Sequence, residues 1–215
     1  IVNPASEARR ASKVITVSNS TARDLNKIYS VEQDKIVVVP LGVDYDVFSR
    51  RRSVDFSLPS RYVLFLGNLE PRKNVYSLIQ SFRALSEKHP DLHLVLAGSE
   101  FPEKDKRALR AAIKNSEKIV LTGPVSEENK IALYQGAQAT VLLSIYEGFG
   151  LPILESFSAG TPVITSTSSS MPEVAGGAAL LVNPLNIAQI AKALDLVLTN
   201  NKIRNILISR GAEVA

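Results

Sequence analysis

The chain has no cysteine, a single methionine and only two histidines. Without cysteine there is no disulfide framework and no thiolate metal site, which suits a cytosolic protein. The histidines, His89 and His93, flank Pro90 and have no further histidine as a partner, so they are poor candidates for a metal site or a general base. No stretch approaches the ~18 consecutive apolar residues of a membrane-spanning helix. Gly-x-x-x-x-Gly-Lys-Ser/Thr is absent, which excludes a P-loop. Gly-x-Gly-x-x-Gly is absent too, which counts against a nicotinamide-dependent dehydrogenase. The first residue is Ile1 and the one methionine is Met171, so the sequence is expected to be part of something longer.

What is present is ordinary in bulk and informative in detail. The 215 residues are 45% hydrophobic and 21% charged, enough for one large α/β domain, or for one domain plus a piece of another. The net charge of +4 suits an anionic small molecule or an acidic membrane surface and falls well short of a nucleic-acid footprint. Short β-branched runs are expected as strands at Val14–Val17, Ile36–Val39, Tyr62–Leu66, Leu92–Ala97, Ile119–Thr122, Thr140–Leu143, Val163–Thr165 and Ala179–Val182. Several are apolar throughout, the mark of strands buried on both faces of a parallel sheet. Helical patterns lie between them. Asn74 is expected to cap a helix with Val75, Leu78, Ile79, Phe82 and Leu85 on its inner face. Ser126 precedes an acidic first turn, Glu127 and Glu128. Ile187, Ile190, Ala191, Leu194, Val197 and Leu198 repeat at helical spacing. Strand–helix alternation with short loops predicts a Rossmann-like, doubly wound parallel α/β sheet. Residues 43–61, with Arg50, Arg51 and Arg52 and weak periodicity, read as a linker. The expected division is therefore 1–42 as the tail of a preceding domain and the start of the linker, and 43–215 as the sheet domain.

In an open parallel sheet, ligands bind beyond the carboxyl ends of the strands. After the third strand comes Gly67-Asn68-Leu69-Glu70-Pro71-Arg72-Lys73-Asn74. Gly67 permits a sharp turn, and two cations beside a helix start favour an anion such as a diphosphate; a solvated basic loop is the plain alternative. Ser144-Ile145-Tyr146-Glu147-Gly148-Phe149-Gly150-Leu151-Pro152-Ile153-Leu154-Glu155 is the most informative stretch. The glycines free the backbone to approach a ligand, Pro152 suits a first helical turn, Glu155 falls about one turn in, and Glu147 is placed on the rim. Carboxylates accept hydrogen bonds from vicinal hydroxyls, so a sugar or ribose is the natural partner. The plain reading is a capping and a surface glutamate around a tight turn. Thr122-Gly123-Pro124-Val125-Ser126 offers backbone to a base edge, or is an ordinary strand–helix connection. The hydroxyl-rich 165–173 loop precedes a short helix that Gly176 and Gly177 would end; it offers hydroxyls to a sugar site, with capping as the safer reading. Asp44-Tyr45-Asp46 has a metal–diphosphate form but sits in the linker, where a turn is expected.

The segment Glu147-Gly-Phe-Gly-Leu-Pro-Ile-Leu-Glu155 resembles the Glu-x7-Glu motif of retaining glycosyltransferases of the GT-B fold, the family 4 group. The Arg-Lys-Asn loop at 72–74, the stretches 160–164 and 172–176, and the linker-like 35–44 follow that family's course, so the resemblance covers essentially the whole chain. It implies one half of a GT-B fold: a nucleotide-sugar-binding domain, with its C-terminal helix shortened and most of the acceptor-side domain missing, and therefore inactive alone. It implies that Arg72 and Lys73 hold the diphosphate and that Glu147 contacts the donor sugar, with the amides around Phe149, Gly150 and Leu151. By the same resemblance Glu155 takes the ribose, Gly67 and the Gly123-Pro124-Val125 backbone line the pocket, and neither metal nor cofactor is needed. The expected reaction is hexose transfer to a glycan or lipid-linked acceptor with retention of configuration. Mannosyltransferases are the nearest likeness, with GDP-mannose placed ahead of UDP-glucose as donor. The expected setting is the cytoplasm, with peripheral contact at the inner membrane face. A non-catalytic sugar-nucleotide-binding module and a sugar-nucleotide epimerase are the alternatives.

Overall fold

The structure, a computed structural model, describes residues 4–98, 111, 113 and 116–215. Two parallel sheets are present among them. In the first, β1 (Val14–Thr16) pairs in parallel with β2 (Ile36–Val38), flanked by α1 (Pro4–Arg10) and α2 (Asn19–Tyr29). The second has six parallel strands: β3 (Tyr62–Leu66), β4 (His93–Ala97), β5 (Ile119–Gly123), β6 (Ala139–Leu142), β7 (Val163–Ser166) and β8 (Leu180–Val182). Their order across the sheet is β5-β4-β3-β6-β7-β8. This is the doubly wound, Rossmann-like α/β arrangement expected from the sequence, with strand ends within about a residue of the apolar runs. The chain works outward from β3 to one edge, then returns to β6 and works outward to the other. The reversal between β3 and β6 opens a crevice at their carboxyl ends.

Burial follows the two-residue period of the strands. Val63 and Phe65 of β3 join Leu94 and Leu96 in a core covered by α4 (Val75–Leu85), α8 (Ile187–Thr199) and Leu207 of α9 (Asn201–Val214). Tyr62 and Leu64 face the other way, against Ile131, Leu133 and Tyr134 of α5 (Glu127–Gly136). Beyond them, α6 (Leu151–Ser158) and α7 (Met171–Ala175) pack Ile153, Phe157, Met171 and Val174 on Leu142 and Val163. Both faces of β6 and β7 are thus buried, which is why these strands read as continuous apolar runs.

Four local expectations change. Asp44-Tyr45-Asp46 is not a turn: Asp44 accepts the Val47 amide at 3.3 Å and caps α3 (Tyr45–Ser49). The 43–61 segment is not a loose linker either, because Phe48 is buried and Val43, Val54, Phe56 and Leu58 cover the α5 face of the sheet. Asn74 precedes α4 without capping it through its side chain. It takes the left-handed conformation, donates to Pro184 O at 2.6 Å and accepts from Ser77 at 2.7 Å. The hydroxyls before α7 do not cap it; their partners lie in the site described below. By contrast, Ser126 caps α5 as read, accepting from Asn129 N, and Gly176 ends α7 in the left-handed region.

The crevice floor depends on Gly98, which follows β4. Its φ is +128°, and a Cβ there would lie 2.1 Å from the carbonyl oxygen of Gly67 at the end of β3. Backbone cannot yield as a flexible side chain would. Gly98→Ala is expected to destabilise the fold by about 3 kcal/mol or more, combining strained φ and overlap. Chemical denaturation measures it; a change within about 0.5 kcal/mol would contradict the close approach.

Candidate active site

The loop after β3 and the loop after β6 meet across the crevice, where Ile145 N donates to Arg72 O at 2.8 Å. A 3-10 turn over Pro71–Lys73 presents Arg72 and Lys73 on one side of this meeting point. Glu147 stands on the other. Its carboxylate receives Arg72 Nη1 at 2.9 Å on Oε2, and on Oε1 both Ser144 Oγ at 2.9 Å and Lys73 Nζ. Arg72 also donates from Nε to Glu70 Oε2 at 2.7 Å. Glu147 is only 8% exposed, so it is not on the rim as the sequence suggested. Burial acts against its charged form. The hydrogen bond and charge of Lys73, the Ser144 bond and the charge of Arg72 outweigh burial and hold the carboxyl below its ordinary pKa. Arg72 is affected in the same way: burial lowers it, and Glu147 and Glu70 more than offset that.

The turn that follows is held by its carbonyls. Ser169 donates to Glu147 O at 2.6 Å. Ser170 lies 2.9 Å from Glu147 O and 2.6 Å from Phe149 O. Gly148 O accepts from Ser18 at 2.7 Å and from Thr21 at 3.1 Å. The amides of Gly148, Phe149 and Gly150 donate to no partner among the described residues. Gly150 allows this course: its φ is +123°, and a Cβ would lie 2.6 Å from Met171 Cε. Amides without a protein partner, the start of α6 and two neighbouring cations are features that suit an anion.

Glu155 sits one turn into α6 and faces α5. Lys130 Nζ donates to its Oε1 at 2.9 Å and Tyr134 Oη to its Oε2 at 2.8 Å. The Gly123-Pro124-Val125 backbone leads directly into α5, so the expected base loop and Glu155 are neighbours through that helix. The structure therefore brings Arg72, Lys73 and Glu147 into one ion cluster below the Phe149–Leu151 turn. It gives Glu155 a separate station, and Gly67 directly follows β3, its carbonyl against Gly98.

The two-stranded unit docks onto this assembly. Asn19 N and Nδ2 both donate to Glu173 Oε1 at 2.8 Å, and Ser20 N donates to Oε2 at 3.2 Å, so Glu173 of α7 caps the amino end of α2. Tyr146 donates to Asp24 at 2.9 Å. Sequence reasoning missed Ser18, Thr21, Ser144, Ser169, Ser170, Lys130 and Tyr134. The hydroxyl run at 166–170 is a visible signal, with capping as its safer reading, and Ser144 opens the Gly-rich stretch without a role of its own; the remaining residues carry no local signal. His89, set aside on sequence, is buried and bonded to Asp195 at 2.8 Å, far along α8 from this crevice. No helix among the described residues is long and apolar enough to cross a membrane.

Glycosyl transferases group 1 match residues 47–214, which is most of the chain. The chain belongs to that family. Glycosyltransferase Family 4 matches residues 3–47. Among similar proteins, the O-antigen chain mannosyltransferase B of Escherichia coli is 31% identical over 212 residues, covering 94% of this chain and 55% of that protein. The serotype-specific mannosyltransferase WbdA of Escherichia coli is 30% identical over 211 residues, covering 93% of this chain and 26% of that protein. This group 1 chain thus spans between about a quarter and about half of those relatives. In fold it resembles sucrose-phosphate synthase from Thermosynechococcus elongatus, with a TM-score of 0.83, 22% identity, and coverage of 98% of this chain and 55% of that one. It also resembles Anabaena Alr3699/HepE in complex with UDP and glucose, with a TM-score of 0.83, 17% identity, and coverage of 98% and 60%. These structures are GT-B glycosyltransferases, so the sheet domain is one half of that fold.

The ion cluster makes stability pH-dependent in a stated direction. A carboxyl held below its ordinary pKa by folding contributes stability above that ordinary value and loses it as pH falls through the depressed folded value. Glu147→Gln is expected to lower stability by about 1–3 kcal/mol at neutral pH. The gap to the parent protein should close in acid, below the depressed value, where both carry a neutral group. Thermal melts across pH check this; a gap that is constant with pH would contradict it.

Proposed function

We propose that this chain supplies the donor-binding half of a glycosyltransferase that moves a hexose from a nucleotide sugar to an acceptor hydroxyl with retention of configuration. One observation carries the reading: Arg72 and Lys73 meet the Glu147 carboxylate between the loops after β3 and β6, where the strand order reverses, and the next three amides, of Gly148, Phe149 and Gly150, have no partner among the described residues. A diphosphate is the ligand whose charge and oxygens match that set. In the transfer step the sugar–phosphate bond breaks and negative charge grows on the leaving diphosphate. Fixed cations and pre-aimed amides stabilise that charge without reorganising, which is where they lower the barrier. In this arrangement Glu147 does two things. It holds both cations in place before the donor arrives, and its carboxylate stands beside the phosphate, where the donor sugar's hydroxyls would meet it. Glu155 takes the ribose hydroxyls, and the Gly123-Pro124-Val125 backbone lines the base, with Gly67 below it.

The relatives' names as mannosyltransferases support a mannosyl donor, GDP-mannose ahead of UDP-glucose. The neighbour bound to UDP and glucose supports a nucleoside diphosphate sugar in general. Family matches meeting at residue 47 support a division near 1–42 and 43–215 between an acceptor-side domain and the donor-binding domain. The acceptor, a glycan or lipid-linked sugar, would then reach the crevice from the acceptor side, in the cytoplasm or at the membrane's inner face.

Calorimetric titration of the chain with GDP, UDP and ADP tests the reading. Saturable binding of one of them is expected, weakened about tenfold or more in Arg72→Ala/Lys73→Ala, consistent with loss of charge-assisted bonds. Equal affinity in the parent and the double variant would contradict a diphosphate site between these cations.

A further inference from the structure

We propose that Lys130 and Tyr134 of α5 are positioning residues for ribose recognition: they fix the Glu155 carboxylate so that its remaining lone pairs receive the two vicinal ribose hydroxyls. The proposal rests on the reading that Glu155 is the ribose contact.

A carboxylate offers about four acceptor sites, two on each oxygen. Here each oxygen is engaged once, Oε1 by Lys130 Nζ at 2.9 Å and Oε2 by Tyr134 Oη at 2.8 Å. One acceptor site is left on each oxygen, and a pair of adjacent hydroxyls matches that pattern. Two donors on different oxygens also stop the carboxylate from rotating about its terminal bond, a torsion that is otherwise broad. The donors are themselves fixed. Tyr134 is fully buried, its ring tilts against Phe48 with centroids 6.3 Å apart, and its carbonyl accepts from Thr161 at 2.6 Å. Burial, with the charge of Glu155 beside it, holds the phenol well above its ordinary pKa, so it remains a donor throughout the neutral range. The Lys130 ammonium lies 5.2 Å from the centroid of the Phe48 ring and also pairs with Glu127 at 2.7 Å. Both donors project from α5, the helix that begins directly after the Gly123-Pro124-Val125 backbone. One element would therefore set the base loop and the orientation of the ribose acceptor together.

A merely structural ion pair between α5 and α6 would hold the helices together and leave ligand discrimination alone. Titration of GDP and UDP, each beside its 2′,3′-dideoxy form, separates the two roles. The parent chain is expected to prefer the ribose form by about tenfold or more, the scale of hydrogen bonds to a charged group. Lys130→Met and Tyr134→Phe should each shrink that ratio several-fold while the dideoxy form binds nearly as before, and Lys130→Arg should restore much of it. Thermal melts show that the variants remain folded, and Tyr134→Phe removes only a hydroxyl. A ratio unchanged in Lys130→Met and Tyr134→Phe but abolished in Glu155→Ala overturns the positioning role and leaves Glu155 in place. A parent chain that binds both forms equally overturns the assignment of Glu155 itself, and absence of saturable binding removes the donor pocket on which both depend.

Discussion

The site depends on a carboxylate in a place where an unpaired charge would not persist. Glu147 is buried, and its two oxygens are shared among Lys73, Arg72 and Ser144. Removing one partner of such a cluster leaves an uncompensated charge, so the loop after β3 and the loop after β6 hold each other at the crevice. In the proposed reading the cations are those that meet the diphosphate, and Glu147 is the internal anion that keeps them in place. On that reading the diphosphate does not have to order two long side chains from solution, because the cluster is already assembled. That lowers the ordering cost of binding and keeps the electrostatic field aimed before any reaction begins.

Around that cluster, the backbone is arranged by hydroxyl groups. Ser169 and Ser170 hold the carbonyls of Glu147 and Phe149, while Ser18 and Thr21 hold the carbonyl of Gly148 from the two-stranded unit. Part of this arrangement is built by residues more than a hundred positions away in sequence. Glu173 of α7, which accepts from the Asn19 and Ser20 amides at the start of α2, joins the two units a second time. Any displacement of the first unit would therefore be felt at Gly148 directly, through two short hydrogen bonds.

The sheet is legible because its central strands are buried on both faces: runs such as Tyr62–Leu66 leave no other reading once helical spacing lies between them. Glycine, proline and the cation pair marked the site because backbone conformation and helix starts are local properties. The misreadings have a common cause. Glu147 was placed on the rim because nothing in the local sequence says that Lys73, 74 residues earlier, neutralises it. Ser170 read as a cap because hydroxyls before a helix usually cap it; its true partners are two carbonyls about twenty residues back. Asp44 looked like a linker turn because Phe48, the residue that buries α3, has no periodic neighbours to announce it. Lys130 carries no local signal in the sequence, because its partner Glu155 becomes visible only when α5 and α6 are laid side by side.

The central claim is that the Arg72–Lys73–Glu147 cluster and the Gly148–Gly150 amides form one diphosphate site. A crystal structure of the chain grown with the nucleoside diphosphate it binds most tightly tests this directly. The account predicts phosphate oxygens within hydrogen-bond distance of Arg72, Lys73 and at least one of those amides, with Glu147 still paired to the cations. Phosphate seated elsewhere, for example on the basic segment at Arg51 and Arg52, with the Glu147 cluster unchanged, would contradict it.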